Sequence, residues 1–177
     1  MRIRFLVLLA AASPLAAQAA PASSAVADAR ANWTSVRDYL VQSATDMPEA
    51  KYSYRPTASV RSFGEIIAHV AGSQSMFCAI ALGQQPPTED AIESKKLGKD
   101  ALIAALEKSN TDCARAYGQD DAAAAKMVDL FGTQRSRLFT LIENAAHDNE
   151  HYGNLVTYLR MNGMVPPSSR PAPSSSR

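Results

Sequence analysis

Two of the three histidines in this chain, His147 and His151, stand four residues apart in a stretch whose apolar residues recur at helical spacing. A helix turns about 100° per residue, so the two imidazoles lie about 40° apart on one face and can reach one cation. Thr140, Glu143, Asn144, His147, His151, Asn154 and Tyr158 all fall within about 60° of a single line along that helix. Leu138, Leu141, Ala145, Leu155 and Leu159 flank the line on one side, Phe139 and Ala146 on the other. A polar stripe with apolar borders on both sides belongs inside a bundle of helices, because burying it against hydrocarbon would leave its polar groups unpaired. This helix therefore needs partners, and it needs them on more than one side.

Three further helical stretches supply them, and no segment shows the period-2 alternation of a strand. The first runs from about Ser23 to Ala44, with Val26, Ala29, Trp33, Val36, Leu40 and Val41 at helical spacing. The second opens at Ser62-Phe63-Gly64-Glu65, a capping-box pattern, and stops at Gly83 ahead of Pro86-Pro87. The third covers about Lys99 to Tyr117, and the fourth runs from Thr133 or Gln134 to Asn162-Gly163. The fold class is all-α, a four-helix bundle.

The connection between helices two and three, residues 84–98, is long for a hairpin and can span a helix of about 30 Å. Such a crossover makes helices two and three parallel. Cys78 and Cys113 favour the same order: each lies some fifteen residues into its helix, so a parallel pair sets them level. They are either a disulfide or two small buried thiols. The topology expected is up-down-down-up.

The N-terminus reads as a targeting segment over residues 1–19. Arg2 and Arg4 precede an apolar run from Phe5 to Ala12, and Ala17-Gln18-Ala19 fits a cleavage site. That run is too short to span a bilayer, no other stretch approaches spanning length, and no cysteine follows it to carry a lipid. The expectation is an exported protein, periplasmic or secreted, without a stable membrane anchor. Cleavage removes Arg2 and Arg4, leaving 16 of the 18 basic residues against 17 acidic ones, a net charge of −1. A near-neutral chain without a basic stripe gives no electrostatic case for nucleic acid. One domain is expected over residues 20–167, with a Ser/Pro/Arg-rich, disordered tail from Ser168 to Arg177.

His69 is the third imidazole. It lies in helix two beside Ile66 and Val70, with Gly72 and Ser73 leaving space one turn on. Alone it reads as a hydrogen-bonded core histidine, and Glu143 and Asn154 are alternative third ligands. If His69, His147 and His151 converge, they leave a coordination position open for chemistry. Glu143 and Glu150 are the candidate catalytic residues, as general base or as orienting partners of an imidazole. The plainer reading makes Glu150 and Asp148 solvated helix charges, and Tyr158 a packing residue whose hydroxyl closes the pocket.

A family resemblance runs through these same residues. Tyr54-Arg55-Pro56, Ser59-Val60-Arg61-Ser62-Phe63 leading to His69, His147-Asp148-Asn149-Glu150-His151-Tyr152-Gly153-Asn154, and Tyr158-Leu159-Arg160 before Gly163 and Pro166-Pro167 resemble the DinB-like (DinB/YfiT) metalloenzymes. The resemblance implies an up-down-down-up bundle with His69, His147 and His151 holding one divalent transition metal, zinc or nickel first, iron or manganese next. Many members carry Gln where this chain has Asn154. The family includes thiol-dependent transferases and isomerases and some hydrolases, and its members often form homodimers. A small-molecule substrate follows for this chain, with a hydrolase or transferase reaction at the metal. Because oxidising compartments are poor in free thiols, export weighs against the thiol-using branch. The alternative from another class is a non-catalytic exported bundle that binds metal for stability or sequestration.

Overall fold

The computed structural model describes residues 24–171, so the targeting segment at residues 1–19 and the end of the tail lie outside the described residues. Four long helices form the bundle: α1 (Ala25–Asp46), α2 (Phe63–Ala81), α3 (Lys99–Ala116) and α5 (Arg137–Met161). A single turn, α4 (Asp121–Ala124), and a hairpin of β1 (Met127–Leu130) and β2 (Thr133–Ser136) join α3 to α5. None of the described helices is long and apolar enough to cross a membrane.

The helix ends follow local chemistry. Ser62 and Glu65 close both bonds of the capping box at the start of α2. Gly83 (φ +70°) and Gly163 (φ +75°) take the left-handed position after α2 and α5, where a side chain would be strained. Their followers return bonds to the helix, Gln84 N–H to Ala79 O and Met164 N–H to Leu159 O.

Cross-helix contacts fix the directions. Gly64 faces Leu102, Gln74 bonds Ser109, and Cys78 is joined to Cys113, so α2 and α3 run parallel. Arg61 meets Tyr158 while His69 meets His147, so α5 runs against α2. The end of α1 meets the residues just before α2 through Tyr52 and Ala44, while Trp33 near its start meets Gln74, so α1 also opposes α2. The order is up-down-down-up, as expected. The crossover returns along α2: Glu89 sits against Gly72 and Glu93 reaches Arg61, just before the helix begins.

The core divides along the bundle. Val36, Leu40, Ile67, Leu102, Leu106, Leu155 and Leu159 fill one half. Trp33, the Cys78–Cys113 disulfide, Tyr117 and Leu141 fill the other, with Trp33 stacked on Tyr117 at 4.5 Å. A third, smaller cluster of Met76, Phe77, Ile80 and Leu130 seats the hairpin on α2.

Two expectations need correction here. Residues 127–136 form a hairpin where no strand was expected and where the last helix was expected to begin. Its two-residue turn places Phe131 (φ +53°) and Gly132 (φ +79°) left-handed, as a type I′ connection requires, and Asp129 accepts from the Gly132 N–H. Its strands, Met-Val-Asp-Leu and Thr-Gln-Arg-Ser, are too short and too exposed to alternate visibly. Residues 168–171, the part of the tail among the described residues, are also ordered, where disorder was expected from Ser168. Pro167–Ser169 forms a 3-10 turn, Tyr152 donates to Ser168, and Arg170 pairs with Asp46 at 2.7 Å.

Candidate metal centre

His69 comes from the middle of α2, and His147 and His151 from one face of α5. Antiparallel packing of these two helices brings them together. His147 Nε2 lies 3.2 Å from His69 Nε2 and 3.1 Å from His151 Nε2, and a ligand atom from each ring lies within 4.8 Å of the others. Three imidazoles bound to one tetrahedral ion at 2.0–2.1 Å would hold their nitrogens about 3.3 Å apart. The observed spacing fits that requirement, and the three residues can hold a metal.

The outer nitrogens confirm which atoms face inward. The one proton of the Ser73 hydroxyl is committed to the backbone of its own helix, chiefly the His69 carbonyl at 2.8 Å. Its oxygen, 3.3 Å from His147 Nδ1, is then an acceptor for Nδ1–H, which leaves the Nε2 lone pair bare. His69 turns Nδ1 toward Glu93 Oε2 at 3.6 Å and Nε2 toward Glu89 Oε1 at the same distance, both beyond hydrogen-bond reach. Lone pairs facing one another at these distances repel unless a cation or a proton lies between them.

Protonation is disfavoured. Burial pushes His69 and His147 below the ordinary imidazole value; Arg61 adds to it at His69, and His69 and then Arg61 at His147. His151 falls to about 3, through burial first and then His147 and His69. Glu89, Glu93 and Glu150 pull against this at His69, and Glu89 and Glu150 at His147. The neutral imidazole is the form that binds metal.

The other candidates are placed differently. Glu143 is exposed and makes no ion pair with these histidines among the described residues. Glu150 is exposed too, acting on His69 and His147 only through its field. Asn154 is exposed and donates to Glu150 O in its own helix. Tyr158 does not close a pocket: its hydroxyl donates to Arg61 O at 2.6 Å, tying α5 to the approach to α2. The stripe is not enclosed on both sides, since Phe139 and Ala146 are exposed while Leu141, Ala145, Leu155 and Leu159 are buried. His147 therefore sits at the rim of the bundle, where the site meets solvent.

Asp148 reverses its expected placement. It is fully buried, and burial raises its carboxyl well above the ordinary range. One step from His147 turns it about 100°, onto the apolar side of the stripe, where Asn144 approaches it at 3.5 Å. Asp148 Oδ1, Asn144 Oδ1 and His151 Nδ1 are all buried without a hydrogen-bond partner. Sequence reasoning also missed Glu89 and Glu93. Glu89 Oε1 lies 3.6 Å from His69 Nε2 and 3.8 Å from His147 Nε2. The acidic Glu89-Asp90 pair was visible in the crossover, but its register along α2 was not.

Comparison with known proteins gives the family and the fold. A model of the DinB superfamily matches residues 32–155. The chain belongs to the DinB superfamily. Among solved structures, this member is similar to a DinB-like protein from Bacillus cereus ATCC 10987 (15% identity, TM-score 0.66), covering 78% of this chain and 93% of that one. A DinB-like protein from Bacillus subtilis matches at 20% identity and a TM-score of 0.61, covering 78% and 94%. A mycothiol-dependent maleylpyruvate isomerase matches at 18% identity and a TM-score of 0.61, covering 76% of this chain and 66% of the isomerase. At these identities the likeness is one of fold. No curated protein matches.

Proposed function

We propose that this DinB superfamily member is a divalent-metal-dependent hydrolase or transferase, with His69, His147 and His151 as its metal ligands. The observation that carries the reading is the convergence of three imidazoles, with His147 Nε2 3.2 Å from His69 Nε2 and 3.1 Å from His151 Nε2. When bound, the cation would act as a Lewis acid and lower the pKa of a coordinated water or substrate group. Zinc or nickel suits the all-imidazole set best, with iron or manganese next.

The chain's own residues supply the rest. Ser73 holds the imidazole of His147 in the tautomer that points Nε2 inward, and the Glu93 carboxylate faces the outer nitrogen of His69. Phe77 touches both the His147 ring, at 5.7 Å between centroids, and Phe131 at the hairpin tip, at 5.9 Å. Beyond them lies a cavity of about 550 Å³ lined by Met76, Ile80, Val128 and Phe131, with Gln84 and Asp129 as polar edges. A mostly apolar cleft with few polar groups suits a small organic substrate, and it favours an enzyme over a metal store. Of the two candidate carboxylates Glu143 and Glu150, Glu150 is the better placed for moving a proton at the rim. The disulfide supports export to an oxidising compartment, periplasmic or extracellular. Such a location favours hydrolysis or transfer over thiol-dependent isomerisation.

Purified full chain should carry about one transition metal, lost in the His147→Ala, His151→Ala double variant. Stoichiometric metal in that variant removes the site. With metal restored, turnover of a panel of esters and amides with apolar arms should depend on the ion and fall in Phe77→Ala; metal uptake without any turnover would leave a binding protein.

A further inference from the structure

We propose that Glu89 is a fourth, displaceable ligand of this cation, delivered by the crossover between α2 and α3 and seated by Gly72. The proposal rests on the metal reading above. Glu89 Oε1 stands 3.6 Å from His69 Nε2 and 3.8 Å from His147 Nε2. The fourth corner of a tetrahedron around an ion with bonds of 2.0–2.1 Å lies about 3.3 Å from each of the others. Glu89 Oε1 is already close to that distance from His69 and His147, and a swing of its half-exposed side chain toward His151 completes the corner. Glu93 differs in kind. Its carboxylate faces Nδ1 of His69, on the far side of the ring, and is paired with Arg61 at 2.9 Å. Glu93 orients a ligand, whereas Glu89 is positioned as one.

The backbone shows how that position is held. A Cβ on Gly72 would collide with the carbonyl oxygen of Glu89, a contact no ordinary side chain can accommodate. Gly72 lies one turn after His69 on α2, so its missing side chain lets the crossover lie flat against the helix beside the metal centre. Turn bonds from Ala91 N–H to Thr88 O and from Ser94 N–H to Asp90 O fix the chain immediately after it. A carboxylate brings negative charge to a site whose other donors are neutral, which strengthens binding of a divalent ion. A closed fourth corner alone would suit a structural site. Here the Glu89 side chain is 50% exposed and sits on a connection, so substrate or water can replace it without disturbing the bundle.

The test uses full chain stripped by chelator and titrated with Co²⁺ alone, followed by its visible absorption bands and then by azide addition. Glu89→Gln should weaken Co²⁺ binding by about tenfold or more, alter the bands, and let azide bind at lower concentration than in the wild type. Gly72→Ala, which removes no ligand, should shift all three readouts in the same direction; circular dichroism shows whether it folds, and Glu89→Gln decides if it does not. Equal Co²⁺ affinity, bands and azide response in wild type and Glu89→Gln overturn the proposal and leave the three-histidine site standing. A wild type that takes up no Co²⁺ overturns both.

Discussion

Gln74 and His69 lie five residues apart on α2, both buried and both polar, yet their surroundings are built to opposite rules. The Gln74 oxygen accepts from Trp33 Nε1 at 2.8 Å, and its nitrogen donates to Ser109 Oγ at 2.8 Å and Asn110 Oδ1 at 2.7 Å. One side chain thereby ties α1, α2 and α3 together beside the Cys78–Cys113 bridge. Around His69, by contrast, three imidazole nitrogens confront one another, and His151 keeps a buried ring nitrogen without a partner. A satisfied network rigidifies and specifies helix order; an unsatisfied one at the same depth raises the energy of the folded chain unless something binds there. The bundle saturates its polar groups around Gln74 and withholds that saturation around the three histidines, and the withheld cluster is the site.

The contrast predicts that stability resides with Gln74 and the disulfide. Cysteine titration in denaturant should find two thiols only after reduction. Removing the bridge, which closes a loop of 35 residues, should cost about 3–4 kcal/mol, a fall of roughly 10 °C in melting temperature. A drop of only a degree or two would shift the weight of that half from the bridge to the Trp33–Tyr117 stack. Gln74→Leu comes next, at about 2–4 kcal/mol, because Trp33 Nε1 loses its buried acceptor and the donors to Ser109 and Asn110 go with it. His147→Ala in metal-free protein should cost under about 1 kcal/mol, since the ring is at the rim and its removal relieves facing lone pairs. If chemical denaturation shows the histidine variant losing as much as the glutamine variant, the division of labour is wrong.

Much of this was legible in the chain. The capping box at Ser62-Glu65, the crossover length and the level placement of Cys78 and Cys113 lead to the up-down-down-up order. The four-residue spacing of His147 and His151, with His69 on an inward face, leads to the three-histidine cluster. What stayed hidden depends on register between elements. An angle along one helix sets Asp148 about 100° from His147 but does not say which side the neighbours cover. Glu89 reaches the histidines only because Gly72 admits its backbone, a fact about two segments at once. The hairpin escaped because its turn, Phe131-Gly132, lacks the Asn-Gly or Asp-Gly signature and only Val128 and Leu130 of its two short strands turn inward.

The smallest effect is the most discriminating between the two clusters, because only one of them titrates. Burial holds His69, His147 and His151 below the ordinary imidazole value of 6.5, so below that pH the unfolded chain binds more protons than the folded one. Metal-free stability should therefore be complete above pH 6.5 and fall as pH drops toward 5, continuing toward the His151 value of about 3. Each proton of difference contributes about 1.4 kcal/mol per pH unit. Asp148 works in the opposite direction. Its carboxyl is raised by burial, so the folded state gains on protonating it, and Asp148→Asn should steepen the decline. Melting temperatures of chelator-stripped protein between pH 7.5 and about 5 measure the slope. Gln74→Leu should lower the whole curve without changing its shape, whereas His151→Gln should flatten it. A wild-type curve already flat across that window would mean that the histidines are not held neutral by the fold, and the contrast between the two clusters would reduce to one of hydrogen-bond geometry alone.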